Sequence, residues 1–319
     1  MCLYKITIKP ISSFCSPLQS DTFFGAFCWS YLYNYGQDAL EEIIYNYKMG
    51  KPDVIFSNAF PEGSLPAPVS LRDLKNSADQ PLNKLEKYRN YIDSKKREHL
   101  VNIPLKDFNK LLNGQEELSY KESEPGMTVM SWRNMVCRDL DCVQKKEDRS
   151  NLFEIEEMYE RSNFDIYIYS TLDKNVLTLT LEQMFRNGIG AQRSVGKGAF
   201  SLIKKPEVFT GFDLPNITNA FIALSNFIPG KADPTDGVYQ MFVKYPKVSY
   251  ISSDQDSPFK KPLIFMKAGS CFFTQESRPF YGSCISKIAL KNGRISDDIV
   301  IGAYTVAIPC FLKNKPDMI

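Results

Sequence analysis

Residues 188–200 hold four glycines, Gly188, Gly190, Gly196 and Gly198, and two cations, Arg193 and Lys197. No acid occurs between Glu182 and Glu207, while Arg186, Arg193, Lys197, Lys204 and Lys205 contribute five positive charges. Glycine reaches positive φ without steric cost and lets a ligand approach the backbone closely. Consecutive free N–H groups in such a loop form an anion-binding nest. Arg193 and Lys197 supply the countercharge, and Ser194 lies beside Arg193 in the middle. This composition predicts a loop that holds a phosphate chain.

Two familiar phosphate loops are excluded by spacing. A Walker A loop places four residues between its first Gly and the Gly-Lys pair, then Ser or Thr. Here Gly190 lies one residue too far from Gly196, Ala191 sits where the Gly belongs, and Gly198 replaces the hydroxyl. A dinucleotide fingerprint needs GxGxxG, and Arg193 occupies the third glycine position.

The elements that position this loop are read from periodicity. Tyr4, Ile6 and Ile8 alternate against Lys5, Thr7 and Lys9, which is a period-two strand. A helix follows, with Ser20 or Asp21 as its cap. Its residues Phe24, Phe27, Cys28, Tyr31 and Leu32 recur at helical spacing, and Gly36 ends it. A second helix is expected over 38–48 and a strand over 54–57. The stretch 72–127 is polar and reads as an insertion, with a basic run at Lys95, Lys96 and Arg97 that suits a solvated helix face. Over 129–153, the cations Arg133, Arg138, Lys145, Lys146 and Arg149 punctuate Met135, Val136, Leu140 and Val143, which predicts a protruding β-hairpin. A core strand at 164–170, a helix at 177–185, the glycine loop and a strand at 199–203 complete the first part. That order is a βαββαβ ferredoxin-like unit. Residues 205–215 read as a linker, and apolar or alternating runs from Ala220 onward predict further strands. The expected fold is α+β, with two ferredoxin-like (RRM-like) βαββαβ domains. The first spans 1–208, with its insertion at about 72–153 ending in the hairpin thumb and its glycine loop at 188–198. The second, 216–319, is β-rich and degenerate.

Length and composition bound the function. At 319 residues the chain supports a sizeable core, and a formal net charge of +2 excludes a strongly basic polynucleotide binder. Any nucleic-acid surface is therefore local. Eight scattered cysteines without a CxxC pair, and His99 as the single histidine, offer no zinc constellation. The cysteines read as reduced thiols, and no apolar run approaches a membrane span. The expected location is the cytoplasm, and neither cofactor nor metal is implied.

The order Gly-x-Gly-x-x-Arg-Ser-x-Gly-x-Gly-x-Phe resembles the glycine-rich loop of the RAMP superfamily of CRISPR RNA-binding proteins. The strand at Leu3–Ile11, with the helix start at Gln19, Ser20 and Asp21, resembles the Cas-five-like subunits of type III-A (Csm) effector complexes. Leu65–Pro68 and the segment from Arg133 to Arg138 extend the resemblance, which covers most of residues 1–205. It implies a non-catalytic subunit that binds crRNA and holds the repeat-derived 5′ tag, with target RNA nearby. Gln19, Ser20, Gly188, Gly190, Arg193, Ser194, Gly196, Lys197 and Gly198 would grip phosphates, joined by Arg133 and Arg138. Met135 and Val136 would wedge between guide and target and displace a base. The implied protein partners are a large polymerase-like CRISPR subunit and a neighbouring RAMP backbone subunit.

Two enzymatic readings compete. An endoribonuclease of the same superfamily, processing precursor crRNA, needs a general base near the 2′-hydroxyl, and His99 is the one histidine available. A small-molecule nucleotide-binding enzyme would use the glycine loop, against its spacing. Asp21, at the strand-to-helix turn, reads as a helix cap rather than a catalyst.

Overall fold

The computed structural model describes residues 1–69, 101–115, 127–136, 150–248, 259–291, 294–297 and 299–312. His99, Arg138 and the basic run at 95–97 lie outside these residues. The fold is mixed α+β, and every strand pair is antiparallel.

The first sheet is built around β1 (Cys2–Pro10). Helices α1 (Ser20–Tyr35) and α2 (Gln37–Lys48) follow it, then β2 (Val54–Phe56), β3 (Phe60–Pro61) and β4 (Ser64–Pro66). The insertion contributes β5 (Asn102–Pro104), α3 (Leu105–Leu112) and the long ribbon of β6 (Met127–Val136) with β7 (Ser150–Tyr159). Next come β8 (Phe164–Ser170), α4 (Lys174–Arg186) and β9 (Phe200–Val208). The sheet order is β2-β8-β1-β9, with β3 also pairing β8. Ile6 and Ile8 are fully buried on one face of β1. On the other face Thr7 donates to Asp165 at 2.7 Å, and Lys5 pairs with the same carboxylate at 2.7 Å.

The second half carries β10 (Ala220–Ala223), β11 (Gly237–Val238), β12 (Met241–Lys244), β13 (Leu263–Met266) and β14 (Cys271–Phe273). Strands β15 (Phe280–Ile285), β16 (Ala289–Lys291), β17 (Arg294–Ser296) and β18 (Ile301–Cys310) complete it. Its main sheet runs β11-β14-β10-β18-β15. Among its described residues there is no helix, so the expected βαββαβ order is not seen there; the β-rich character is.

Helix α1 lies between the two sheets. Phe23 and Phe27 pack on Phe56 of the first sheet, while Phe24 stacks on Tyr47, which meets Tyr304 of β18. One buried cluster therefore runs from Ile6 through Phe24 to Val306 and Ile308. The expected linker is also packed. β9 extends to Val208, and Phe209 and Phe212 then pack against Tyr167 of β8 and, for Phe212, Phe108 of α3. These partly buried rings anchor the start of the connection to the sheet.

Candidate nucleic-acid interface

The loop between α4 and β9 is set by local backbone geometry. Asp173 caps α4 by accepting from the N–H groups of Asn175 and Val176, and the chain leaves the helix at Gly188 with φ 83°. Gly190, Gln192, Gly196 and Gly198 also have positive φ, at 82°, 62°, 85° and 72°. Three glycines are required by space as well as by φ: a Cβ on Gly188 would lie 2.9 Å from the Lys197 carbonyl oxygen. A Cβ on Gly198 would lie 2.1 Å from the Ile189 carbonyl oxygen, and one on Gly190 would lie 2.6 Å from Ser16 Cβ.

The segment after β1 braces the loop. Gly198 donates its N–H to the Ser13 carbonyl at 2.8 Å, Ala199 to Ser12 Oγ at 3.0 Å and Ala191 to Ser16 Oγ at 2.9 Å. The loop closes on itself through Ile189 N–H to the Gly198 carbonyl at 2.8 Å. Arg193 to Val195 form one 3-10 turn at the tip, where Arg193, Ser194 and Gly196 are exposed. Among the described residues, the N–H groups of Gln192, Arg193 and Ser194 donate no hydrogen bond. They and the Arg193 guanidinium are open to an acceptor from solvent.

Lys197 points the other way. Its ammonium reaches Glu157 Oε2 of β7 at 2.6 Å and Ser13 Oγ at 2.8 Å. Ser13 and the Tyr159 hydroxyl donate to the same Glu157 oxygen, at 2.9 and 3.0 Å. Glu157 is buried and the Lys197 side chain is only 19% exposed. The expected phosphate cation is thus an internal tie between the loop and the base of the β6–β7 ribbon. A buried carboxylate requires such a partner. Of the other cations flanking the loop, Lys204 pairs with Glu62 and Lys205 with Glu182 on the surface. Hydrogen bonds from Lys204 and Asn163 hold the Glu62 carboxyl below its ordinary pKa.

The start of α1 departs from expectation. Its cap position is Gln19, which makes no side-chain capping bond. Asn58 supplies the cap from a distance, its Oδ1 accepting the Ser20 N–H at 3.1 Å. The Ser20 side chain is buried and donates to the Asn226 carbonyl, so it faces the second half rather than a phosphate. Asp21 is in the first turn and pairs with Lys244 of β12 at 2.7 Å. Lys244 also donates to Gln19 Oε1 at 2.6 Å. Neighbouring Lys260 has its pKa lowered by burial, against the upward pull of Asp21.

The hairpin exists as a two-stranded ribbon longer than expected. Its register pairs Met127 with Tyr159 and Val136 with Ser150, placing Arg133 opposite Phe153 and Met135 opposite Asn151. Phe14 bridges to Met158 at its base. The ribbon therefore starts beside the glycine loop, and residues 133–136 lie at its far end. The serines at 12, 13 and 16, with Asn58, Glu157 and Lys244, were not singled out by sequence. Only the serine cluster after β1 offered a signal, as repeated hydroxyls beside a glycine-rich partner.

Neither a protein-family model nor a curated protein matches the chain. Solved structures do. A chain of the Csm1–Csm4 cassette in complex with cA3 is 16% identical, with a TM-score of 0.59 over 98% of this chain and 99% of that one. A chain of the same cassette with cA4 is 18% identical, with a TM-score of 0.60 over the same shares. A chain of the Csm3–Csm4 subcomplex in the type III-A CRISPR-Cas interference complex is 14% identical, with a TM-score of 0.58 over 96% and 99%. At these identities the likeness is one of fold. Among the described residues, no helix is long and apolar enough to cross a membrane.

Proposed function

We propose that the chain is a non-catalytic, crRNA-binding subunit of a type III-A CRISPR effector complex, acting in the cytoplasm. Csm4 is the component common to the two assemblies whose chains share this fold over nearly its whole length. The strand order β2-β8-β1-β9, with α1 and α4 as crossovers, supports a ferredoxin-like RAMP unit for the first half. The observation that carries the reading is the loop tip, where open amides and the Arg193 guanidinium stand clear on a frame of positive-φ residues. Such a frame suits a single-stranded RNA held by its backbone. The tip of the loop would grip the 5′ tag. The β6–β7 ribbon, braced to the loop through Glu157 and Lys197, would be the thumb, with Arg133 on phosphate and Met135 and Val136 against a displaced base. Polymerase-like and backbone subunits of the Csm complex are its proposed partners. A role for Asp21 in structure rather than chemistry is supported by its pairing with Lys244.

The test is a titration of single-stranded RNA in rising salt. Each phosphate contact to a single strand contributes about 0.7 to the log–log slope. Arg193→Ala should flatten the slope by that amount. An unchanged slope and affinity in Arg193→Ala would remove the loop from the RNA interface.

A further inference from the structure

The ribbon of β12 and β13 leaves one face and one edge uncovered. Val243 stands directly opposite Ile264, and Met241 opposite Met266. Opposite residues in an antiparallel pair share a face, and so do alternate residues along a strand. Met241, Val243 and Tyr245 therefore line up beside Ile264, and these four are 56%, 53%, 67% and 59% exposed. The other face is the packed one: Phe242 stacks on Phe265 with centroids 5.8 Å apart, and Phe265 is fully buried. Single exposed apolar side chains are ordinary, but several together on one face mark a contact surface.

The backbone edge of β12 is open as well. Lys267 donates its N–H to the Gln240 carbonyl at 2.8 Å. Bonded and non-bonded pairs alternate along antiparallel strands. In this register the residues of β12 bonded to β13 are Phe242 and Lys244, so Met241 and Val243 aim their N–H and C=O groups away from β13. No other described residue hydrogen-bonds to those groups. The far edge of β13 is covered, since Met266 and Phe227 exchange N–H to carbonyl bonds at 2.8 and 3.1 Å. An open apolar edge is a template for another strand. Charge selects which strand. The described residues 237–248 and 259–270 carry five lysines and no acid. Lys244 is paired with Asp21. Lys267, beside the start of β12, and Lys247 and Lys261, at its far end, are exposed.

We infer that the β12 edge receives an extended segment of a partner protein, with apolar side chains at alternate positions and carboxylates at both ends. The added strand pairs with Met241 and Val243 through the main chain, and the residues bonded to them set their side chains beside Val243 on the exposed face. Its terminal carboxylates meet Lys267 at one end and Lys247 and Lys261 at the other. A second copy of this chain fits poorly, because pairing two β12 edges brings two sets of lysines together. RNA offers charge to the lysines but no strand to the open edge. Met241, Val243, Tyr245 and Ile264 have no part in the RNA-binding reading above, so the inference stands apart from it.

The test measures fluorescence anisotropy of labelled peptides against the full chain. The probe is Glu-Glu-Val-Thr-Val-Thr-Val-Glu-Glu, and two controls replace its glutamates by lysine or N-methylate its valines. The acidic probe should bind. The lysine control should bind more weakly, with the gap closing as salt is raised. The N-methylated control should not bind, since the valines carry the N–H groups that face the edge. Val243→Pro removes the outward N–H of β12 and keeps the ribbon's own bonds. It should weaken the acidic probe about 5- to 150-fold, the loss when one buried acceptor is left unpaired. Should Val243→Pro not fold, Val243→Asp decides, because that exposed position then opposes an acidic strand and should lose the probe. Failure of the acidic probe to bind, equal binding of the lysine control, or binding unchanged in a folded variant overturns the inference. A dimer that Val243→Asp dissociates gives the edge to a second copy, and displacement of the probe by oligouridylate gives it to RNA. Either result also overturns the inference.

Discussion

Lys197→Met should lower the unfolding free energy by about 3 kcal/mol, the lower end of the loss when one partner leaves a buried ion pair. The lower end applies because the Lys197 side chain retains some exposure while Glu157 has almost none. Methionine replaces the length and apolar stem of lysine, so packing is largely kept and the charge is what is removed. The Glu157 carboxylate then keeps donors that include Ser13 and Tyr159 but loses the Lys197 ammonium. Neutralising the carboxylate as well, in Lys197→Met with Glu157→Gln, should recover most of the loss, because the buried charge is gone. Urea denaturation of the three proteins measures this directly. A loss below about 1 kcal/mol in Lys197→Met would make the pair no stronger than an exposed one. The same variant separates structure from binding. Folded Lys197→Met should keep the salt slope for RNA that Arg193→Ala flattens, because of the loop's two cations Arg193 is the exposed one and Lys197 is turned to Glu157.

That division within one loop explains what sequence could and could not show. The glycines were legible because positive φ is a local demand, and the structure shows it at Gly188, Gly190, Gly196 and Gly198. Strands β1 and β8 were legible because the alternation of residue types along them is also local, although both prove to be buried on both faces. Arg193 and Lys197 look alike in sequence, four residues apart in an acid-free stretch. What separates them is Glu157, forty residues earlier on another strand, and no spacing rule links them. The cap of α1 failed for the same reason. Ser20 and Asp21 are good local caps, but Asn58 reaches the Ser20 N–H first, and Lys244 takes Asp21 from more than two hundred residues away. Within the expected linker, 205–208 belong to β9, and the packing of Phe209 and Phe212 on Tyr167 and Phe108 was not legible, because only the folded sheet brings those rings together.

Phe24→Ala should cost about 3–5 kcal/mol, the usual range for emptying a buried phenylalanine site. Its effect should be tied to a residue in the other half of the chain. Gly302 is the second residue of β18, opposite Cys284, and its backbone is not in the left-handed region, so alanine is conformationally allowed there. Glycine in a strand is normally a weakness that alanine would relieve. Here a Cβ on Gly302 would lie 2.7 Å from Phe24 Cδ1 and 2.8 Å from Tyr47 Cε1. Those rings are stacked at 4.0 Å, and Tyr47 is held by its hydroxyl to the Val54 carbonyl and by its own carbonyl to the Tyr304 hydroxyl. Neither ring has space to turn aside. Gly302→Ala should therefore destabilise by about 1–3 kcal/mol through overpacking. In the double variant the space left by Phe24 takes up the new methyl, so the combined loss should fall short of the sum by about 0.5–3 kcal/mol. Chemical denaturation of the four proteins closes the cycle. Strict additivity would mean that the two halves fold as separate cores. The predicted coupling follows from α1 serving both sheets at once, which sets the glycine loop on one side and the β12 lysine on the other in fixed relation to the same helix start.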